Sequence, residues 1–127
     1  MPVVSDFVLI QESGVNIGDS GTSLFEKNFG TGGRYSNAPA MIMLMVKGLT
    51  AAGDTTVRVN NKTIGVIEYQ PGASPHHWFT QIIPFPGNYL RNGNNELEVR
   101  AKLYPNGNDS FDDFKIANVV CFFHQEA

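Results

Sequence analysis

The sequence predicts an all-β fold, an antiparallel β-sandwich of about eight strands that forms one domain over residues 1–127. Its composition supports this fold, because charged residues make up only 17% of the chain while glycine occurs 13 times and proline 7 times, as in proteins built of strands and tight turns. Short apolar runs alternate with turn signals along the whole chain. No window of helical length shows a sustained apolar period of about 3.6 residues.

Eight runs have the pattern of strands, and they are residues 3–10, 23–29, 40–49, 55–60, 62–69, 76–85, 95–104 and 112–125. A Gly- and Ser-rich turn region, residues 11–21, separates the first run from the second, SLFEKNF, which has the weaker strand pattern. Residues 30–39, GTGGRYSNAP, form a predicted loop with three glycines that presents Arg34 and Tyr35.

The third run, AMIMLMVKGL, is apolar on both of its faces. Alternation places Met41, Met43 and Met45 on one face, opposite Ile42, Leu44 and Val46. Such a run is either a buried central strand that packs into the core or a strand covered by a partner subunit. The sequence leaves both interpretations open.

The next four runs carry clear turn and strand signals. The fourth and fifth flank Asn60 and Asn61, which tolerate the left-handed conformation that a tight hairpin needs. The sixth has a proline at its exit. The seventh, NELEVRAKLY, alternates cleanly and directs Leu97, Val99 and Ala101 inward.

The last run is unusually long. A strand over residues 112–125 would measure about 46 Å at ~3.3 Å per residue. We therefore expect a bulge near Ala117 and Asn118, where a polar side chain interrupts the apolar pattern. The expected faces are Phe114, Ile116, Val120 and Phe122 on one side, and Val119, Cys121 and Phe123 on the other. Because this strand is apolar on both faces, we expect it to lie inside a sheet with neighbours on both sides.

Three stretches resemble one family. VNNKTIG (residues 59–65) is similar to the VNGK-x-hydrophobic-G hairpin of galactose-binding-domain-like jelly rolls, which include the sugar-binding domains of family 2 glycoside hydrolases. LRNGNNELEV (residues 90–99) is similar to that family's L-x-x-G-x-N-x-L-x-V, and DDFKIANVV (residues 112–120) resembles its closing strand. The resemblance covers residues 55–123 and implies a jelly-roll sandwich with a noncatalytic binding or assembly role, but it transfers no binding residue.

The matching positions have structural roles that follow from their chemistry. Asn61 stands where the family usually has glycine, and asparagine is the next best residue at a left-handed position. We expect Gly93 to form a turn and Asn95 to fix that turn by hydrogen bonds from its side chain to the backbone.

The segment PHHW, residues 75–78, is the strongest candidate for ligand binding. A tryptophan beside histidines offers an amphipathic ring for stacking on a sugar, with imidazoles to bond its hydroxyls. The candidate ligand-binding residues are Trp78, His76, His77, Tyr69, Arg34 and Tyr35. The alternative is that Trp78 lies in the core while Phe79 faces out, or the reverse.

The segment PNGNDSFDD gathers oxygen ligands within a few residues. The candidate metal ligands are Asn108, Asp109, Asp112 and Asp113. Hard oxygen ligands in a loop suit a structural calcium ion, the one cofactor that the sequence suggests. The alternative is a turn in which these side chains cap their own backbone.

Composition argues against several other classes of protein. The net charge of −3 and scattered basic residues argue against nucleic-acid binding. The single cysteine, Cys121, excludes an internal disulfide and lies in an apolar run, so we interpret it as a core residue. We expect a soluble protein, because no signal peptide or membrane-spanning run is visible. No nucleophile motif or phosphate-binding loop indicates an enzyme.

The function that these observations favour is a noncatalytic, lectin-like carbohydrate-binding module. The alternative is an assembly protein that uses the same sandwich to form homo-oligomers through the strand Met41–Met45, without a sugar ligand. The mass of the protein in solution would help to separate the two.

Overall fold

The computed structural model describes residues 2–18, 21–48, 55–68, 77–101 and 114–126. These residues form nine strands and one short 3₁₀ helix at Gly87–Tyr89. The strands are β1 (Val3–Gln11), β2 (Val15–Ile17), β3 (Leu24–Gly30), β4 (Ala40–Lys47), β5 (Thr56–Val59), β6 (Lys62–Val66), β7 (Phe79–Phe85), β8 (Asn94–Arg100) and β9 (Phe114–Glu126).

The strands form two sheets in which every pairing is antiparallel. A five-stranded sheet has the order β1-β9-β4-β7, with β2 also paired to β9, and a four-stranded sheet has the order β3-β8-β5-β6. The predicted antiparallel β-sandwich is confirmed. The last strand is interior, as expected, because it pairs with β1, β2 and β4.

The hydrophobic core lies between the two sheets. Alternate residues of the paired strands supply it, and those with no exposed surface include Ile42, Leu44, Val46, Val57, Val59, Leu97, Val99, Ile116 and Val119. Leu97 and Val99 therefore face inward as their alternation predicts. Each fully buried side chain of this size stabilises the fold by roughly 1.5–3 kcal/mol.

β9 contains the predicted bulge. One residue lies between Met43 and Met45 of β4, whereas two residues, Asn118 and Val119, lie between their partners in β9. Asn118 has a positive φ of 50°, and its N–H donates to the carbonyl oxygen of Glu12 at 3.1 Å. The bulge therefore faces the gap between β1 and β2.

The bulge changes which residues of β9 face the core. The inward residues are Phe114, Ile116, Val119, Cys121 and Phe123. The expectation that Val120 and Phe122 share a face with Phe114 is therefore wrong, because the extra residue shifts the alternation by one. Both side chains lie on the outer face of the five-stranded sheet, where Phe122 is exposed.

Other differences concern strand ends. Residues 11–21, expected as a turn region, contain the short strand β2, which forms because Val15 and Ile17 pair with β9 beyond its bulge. The methionine run ends as a strand at Lys47, and β7 begins at Phe79. The end of each strand is set by where its pairing with a neighbouring strand stops. The sequence of the strand itself does not show this.

Asparagines close the turns at one end of the sandwich. Asn60 and Asn61 have φ values of 51° and 66°, the left-handed conformation predicted for this hairpin. Asn95 is fully buried, and its Oδ1 accepts from the N–H of Arg91 at 2.6 Å. Its Nδ2 donates to the carbonyl of Gly93 at 3.0 Å, so the expected anchoring of this turn is confirmed.

The strand ends define two ends of the sandwich. At the first, which we call the Trp78 end, β4 finishes while β7 and β9 begin, since Lys47 pairs with Lys115. At the second, which we call the Asn95 end, β4 begins, β7 and β9 finish, and β8 begins beside the end of β3. Side chains at opposite ends are separated by the length of the strands.

Candidate functional site

Trp78 lies at the Trp78 end, directly before β7, and faces away from the core. Phe79 pairs with the inward-facing Val46 and packs against the core, so the alternation of the strand turns Trp78 outward. Trp78 as a residue is 38% exposed. The alternative that Trp78 is a core residue is therefore wrong, and the ring is available to a ligand.

A lysine lies over the tryptophan ring. The Nζ of Lys47 is 5.4 Å from the ring centroid of Trp78, a cation–π contact of about 0.5–1 kcal/mol at an exposed site. Lys47 pairs with Lys115 across β4 and β9, so a second lysine lies one strand further from the ring. An ammonium group has three hydrogen-bond donors, which suit hydroxyl or acidic groups on a stacked sugar.

The two lysines are the functional candidates that the sequence reasoning missed. Lys47 continues the outward alternation of Met43 and Met45, and that signal was available in the sequence. Its pairing with Lys115 was not available, because the register between two strands far apart in the chain depends on the whole sheet.

His77 is exposed beside Trp78, whereas Tyr69 and His76 lie outside the described residues. Glu68, on the other side of that segment, also lies at the Trp78 end. Its N–H donates to Oε1 of Gln81 at 2.9 Å, and Nε2 of the same glutamine donates to the carbonyl of Val66 at 2.8 Å. These bonds connect the end of β6 to β7 across the edges of the two sheets.

Arg34 and Tyr35 lie at the Asn95 end. Arg34 forms an isolated bridge with Gln125, and the N–H of Tyr35 donates to the carbonyl of His124 at 2.7 Å. On β9, residues 115 and 124 are separated by roughly 30 Å at ~3.3 Å per residue. The structure therefore does not bring Arg34 and Tyr35 together with Trp78.

The candidate metal ligands Asn108, Asp109, Asp112 and Asp113 lie outside the described residues. Ala101 and Phe114, which flank that segment, are both at the Trp78 end. Within the described part of the chain, no group of three or more His, Cys, Asp or Glu side chains is placed to hold a metal ion. The calcium site thus stays a prediction.

Cys121 is a core residue, as its position in the sequence suggested. It has no exposed surface, and burial raises the pKa of its thiol from 9.0 to about 12. A thiol with this pKa is almost fully protonated at neutral pH and is a poor nucleophile. Its contribution is to packing.

The outer face of the five-stranded sheet is the other distinctive surface. Its outward apolar side chains, which we call the methionine face, are Phe7, Leu9, Met41, Met43, Ile82 and Phe122. The methionines are half-buried and lie on this face, so the interpretation that they pack in the core is wrong. A depression of about 390 Å³ lies over Met41 and Met43.

Comparison with known proteins shows a shared fold. No family model and no curated protein sequence matches this chain. A β-porphyranase of glycoside hydrolase family 86 from the human gut bacterium Bacteroides plebeius is structurally similar, with a TM-score of 0.64 and 13% identity over 97% of this chain. This chain spans only 21% of that enzyme.

A second solved structure, a family 35 carbohydrate-binding module from an environmental isolate, has a TM-score of 0.48 and 17% identity, with 94% of this chain and 96% of that chain covered. At these identities the comparisons concern fold and not activity. Within the described residues, no helix is long and apolar enough to cross a membrane.

Proposed function

We propose that this chain is a noncatalytic carbohydrate-binding module whose ligand stacks on Trp78. The observation that carries the proposal is the exposed indole at one end of the sandwich, beside Lys47. The shared fold adds support, because the β-porphyranase contains it within a much longer chain. A sandwich of this kind beside a catalytic domain is suited to holding that domain on its polysaccharide.

Stacking explains why an exposed tryptophan suits a sugar. One face of a pyranose ring presents mainly C–H groups, and an indole offers a large rigid apolar surface at little cost in conformational entropy. Lys47 lies over the Trp78 ring, yet more than a third of the residue stays accessible. The ring therefore has surface left for a second partner.

The neighbouring lysines give the proposed site a preference for acidic sugars. Lys47 and Lys115 are like charges on paired positions, an arrangement that destabilises a sheet slightly unless an anion lies nearby. Within the proposal, they donate hydrogen bonds to hydroxyl or acidic groups of the ligand, and acidic sugars bind more tightly than neutral ones. The proposal includes His77, Tyr69 and His76 as further contacts to the ligand.

A glycan array with neutral and acidic oligosaccharides tests this function. Selective binding is expected for the wild-type protein, and Trp78→Ala should weaken it at least tenfold, the effect of losing about 1.4 kcal/mol or more of stacking. Tyr35→Ala is the matched control, because this aromatic residue lies at the Asn95 end. Unchanged binding by folded Trp78→Ala, or a blank array with folded wild-type protein, would overturn the proposal.

The same array with calcium and with chelator tests the proposed ion. We propose that Asn108, Asp109, Asp112 and Asp113 hold a structural calcium near the sugar site. Chelator should then reduce sugar binding, and calcium should raise the melting temperature of the wild-type protein but not of Asp112→Asn. Equal melting temperatures with and without calcium would contradict it.

A further inference from the structure

Four strands form the edges of the two sheets, and an edge strand exposes backbone groups that can pair with another chain. The edges are β1 and β7 in the five-stranded sheet and β3 and β6 in the four-stranded sheet. β1 has nine residues and is the longest of the four. In the part of the chain that the structure describes, β1 pairs with β9 and with no other strand.

The other three edges carry features that hinder pairing with another chain. β7 contains Pro84, which has no N–H, and its Gln81 already donates to the backbone carbonyl of Val66 at the end of β6. β6 has only five residues, and a register shift interrupts its pairing with β5. β3 presents the exposed charges of Glu26 and Lys27, which discourage an incoming strand.

β1 lacks most of these features. It has neither a proline nor a lysine, and Asp6 is its one charged residue. A long apolar edge of this kind is a template for association with another chain. Its exposed apolar residues, at 41–63% of their surface, are Val3, Val4, Phe7 and Leu9. The protection of this edge therefore depends on Asp6.

The carboxylate of Asp6 caps a backbone group on the open edge of β1. Its Oδ1 accepts from the N–H of Phe7 at 2.8 Å, so this N–H is not donated to β9. Successive residues of a strand direct their backbone groups to opposite edges. The N–H groups of Ser5 and Leu9 therefore point away from β9 together with that of Phe7. An incoming strand would have to displace the carboxylate before it could accept from Phe7.

Asp6 also places a charge on the inner face of this edge strand. It pairs with Phe123 of β9, which is a core residue, and alternation puts it on the same face as Val8 and Ile10. Asp6 is half-buried, so its carboxylate still reaches water beside the open edge. A strand added to β1 would cover that side, and taking an unpaired carboxylate out of water is costly.

We propose that Asp6 prevents β1 from pairing with the same strand of a second copy of this chain. An apolar edge strand can pair with its own copy in antiparallel orientation. Centred on Phe7, such a pairing would put Asp6 of each copy opposite Val8 of the other. The two carboxylates would then lie on one face, roughly 7–8 Å apart. The capped N–H, the loss of hydration and the repulsion between like charges all oppose this pairing. The block is independent of the function proposed for Trp78, which precedes the strand at the other edge of the sheet.

Sedimentation velocity at about 100 µM protein tests this block, because it detects association with dissociation constants of micromolar order. Asp6→Val should raise the average mass about twofold or more above that of the wild type, since valine carries no charge and favours strands. Glu96→Val is the matched control and should keep the wild-type mass. It removes the same charge from β8, an interior strand with no open edge. Circular dichroism checks that both variants remain folded β proteins.

Two further variants show whether the edge of β1 is responsible. Asp6→Lys restores a charge at the same place and should keep the wild-type mass, because lysine also protects edge strands. Phe7→Pro added to Asp6→Val removes an N–H that does not bond to β9, which an edge strand tolerates, and should return the mass to that of the wild type. A folded Asp6→Val variant with the wild-type mass would overturn the proposal. Association of Glu96→Val or Asp6→Lys, or continued association of the double variant, would overturn it as well.

Discussion

A single buried residue, Asn95, fixes the turns at one end of the sandwich by hydrogen bonds. Asn95 has no exposed surface and uses both ends of its amide: Oδ1 accepts from Asn60 at 2.9 Å as well as from a backbone N–H, and Nδ2 donates to Thr31 Oγ1 at 2.7 Å. Buried polar groups stabilise a fold only when they are satisfied in this way. The sequence motif identified the residue and its turn, but not Asn60 and Thr31, which folding brings together from distant parts of the chain.

Asn95→Ala should lower the free energy of unfolding by about 3–5 kcal/mol, because it leaves several buried donors and acceptors without partners at roughly 1–3 kcal/mol each. The neighbouring Asn94 is exposed, so Asn94→Ala should change stability by about 0.5 kcal/mol or less. Urea denaturation of the three proteins measures both effects. Equal losses for the two variants would contradict a special role for Asn95.

Cys121 should make stability fall at high pH. Its pKa is raised from 9.0 to about 12 by burial, so between these values the unfolded chain loses a proton that the folded chain keeps. The stability is fully present below pH 9 and is lost as pH rises toward 12, by up to about 1.4 kcal/mol per pH unit.

Comparison with Cys121→Ala isolates this effect from the ionisation of lysines and tyrosines. Between about pH 8 and about pH 10.5, the wild-type protein should lose roughly 2 kcal/mol more than the variant in urea denaturation. Parallel losses in the two proteins would show that the thiol is not responsible.

At the scale of the element, β9 shows how much of a strand's structure its own sequence pattern predicts. Its length and the polar Asn118 predicted a bulge, and the bulge is there. The faces beyond it were predicted wrongly, because the number of extra residues depends on pairing with β4 and not on the sequence of β9 alone. The same limit concealed Lys115, whose partner Lys47 is set by that register.

The bulge should depend on the left-handed conformation of Asn118, which has a φ of 50°. Asn118→Val should lower stability by about 1–2 kcal/mol, since a β-branched residue is disfavoured at positive φ. Asn118→Gly should be within about 0.5 kcal/mol of wild type, because glycine adopts this conformation freely. Thermal denaturation checks both, and a valine variant as stable as the glycine variant would contradict the assignment.

At the scale of the whole molecule, the sequence does not predict the order of the strands in each sheet. That order determines which candidate ligand-binding residues lie close together. In the sequence, Trp78 and Arg34 both have the pattern of accessible loop residues. In the structure they lie at opposite ends of the sandwich. Trp78 precedes β7, which begins at the same end as β9, whereas Arg34 lies in the loop after β3, which contacts the end of β9. The polar outer face expected of a solvated sheet also failed to appear on the five-stranded sheet.

The separation of the two ends predicts that variants at each end affect sugar binding differently. Lys47→Ala should weaken the affinity for an oligosaccharide about threefold or more, because the Nζ of Lys47 lies 5.4 Å from the ring centroid of Trp78. Arg34→Ala should leave that affinity unchanged, because Arg34 lies at the Asn95 end, where it forms a bridge with Gln125. Calorimetry with an oligosaccharide that the glycan array identifies measures both affinities. Equal losses in the two variants would contradict a sugar site at the Trp78 end.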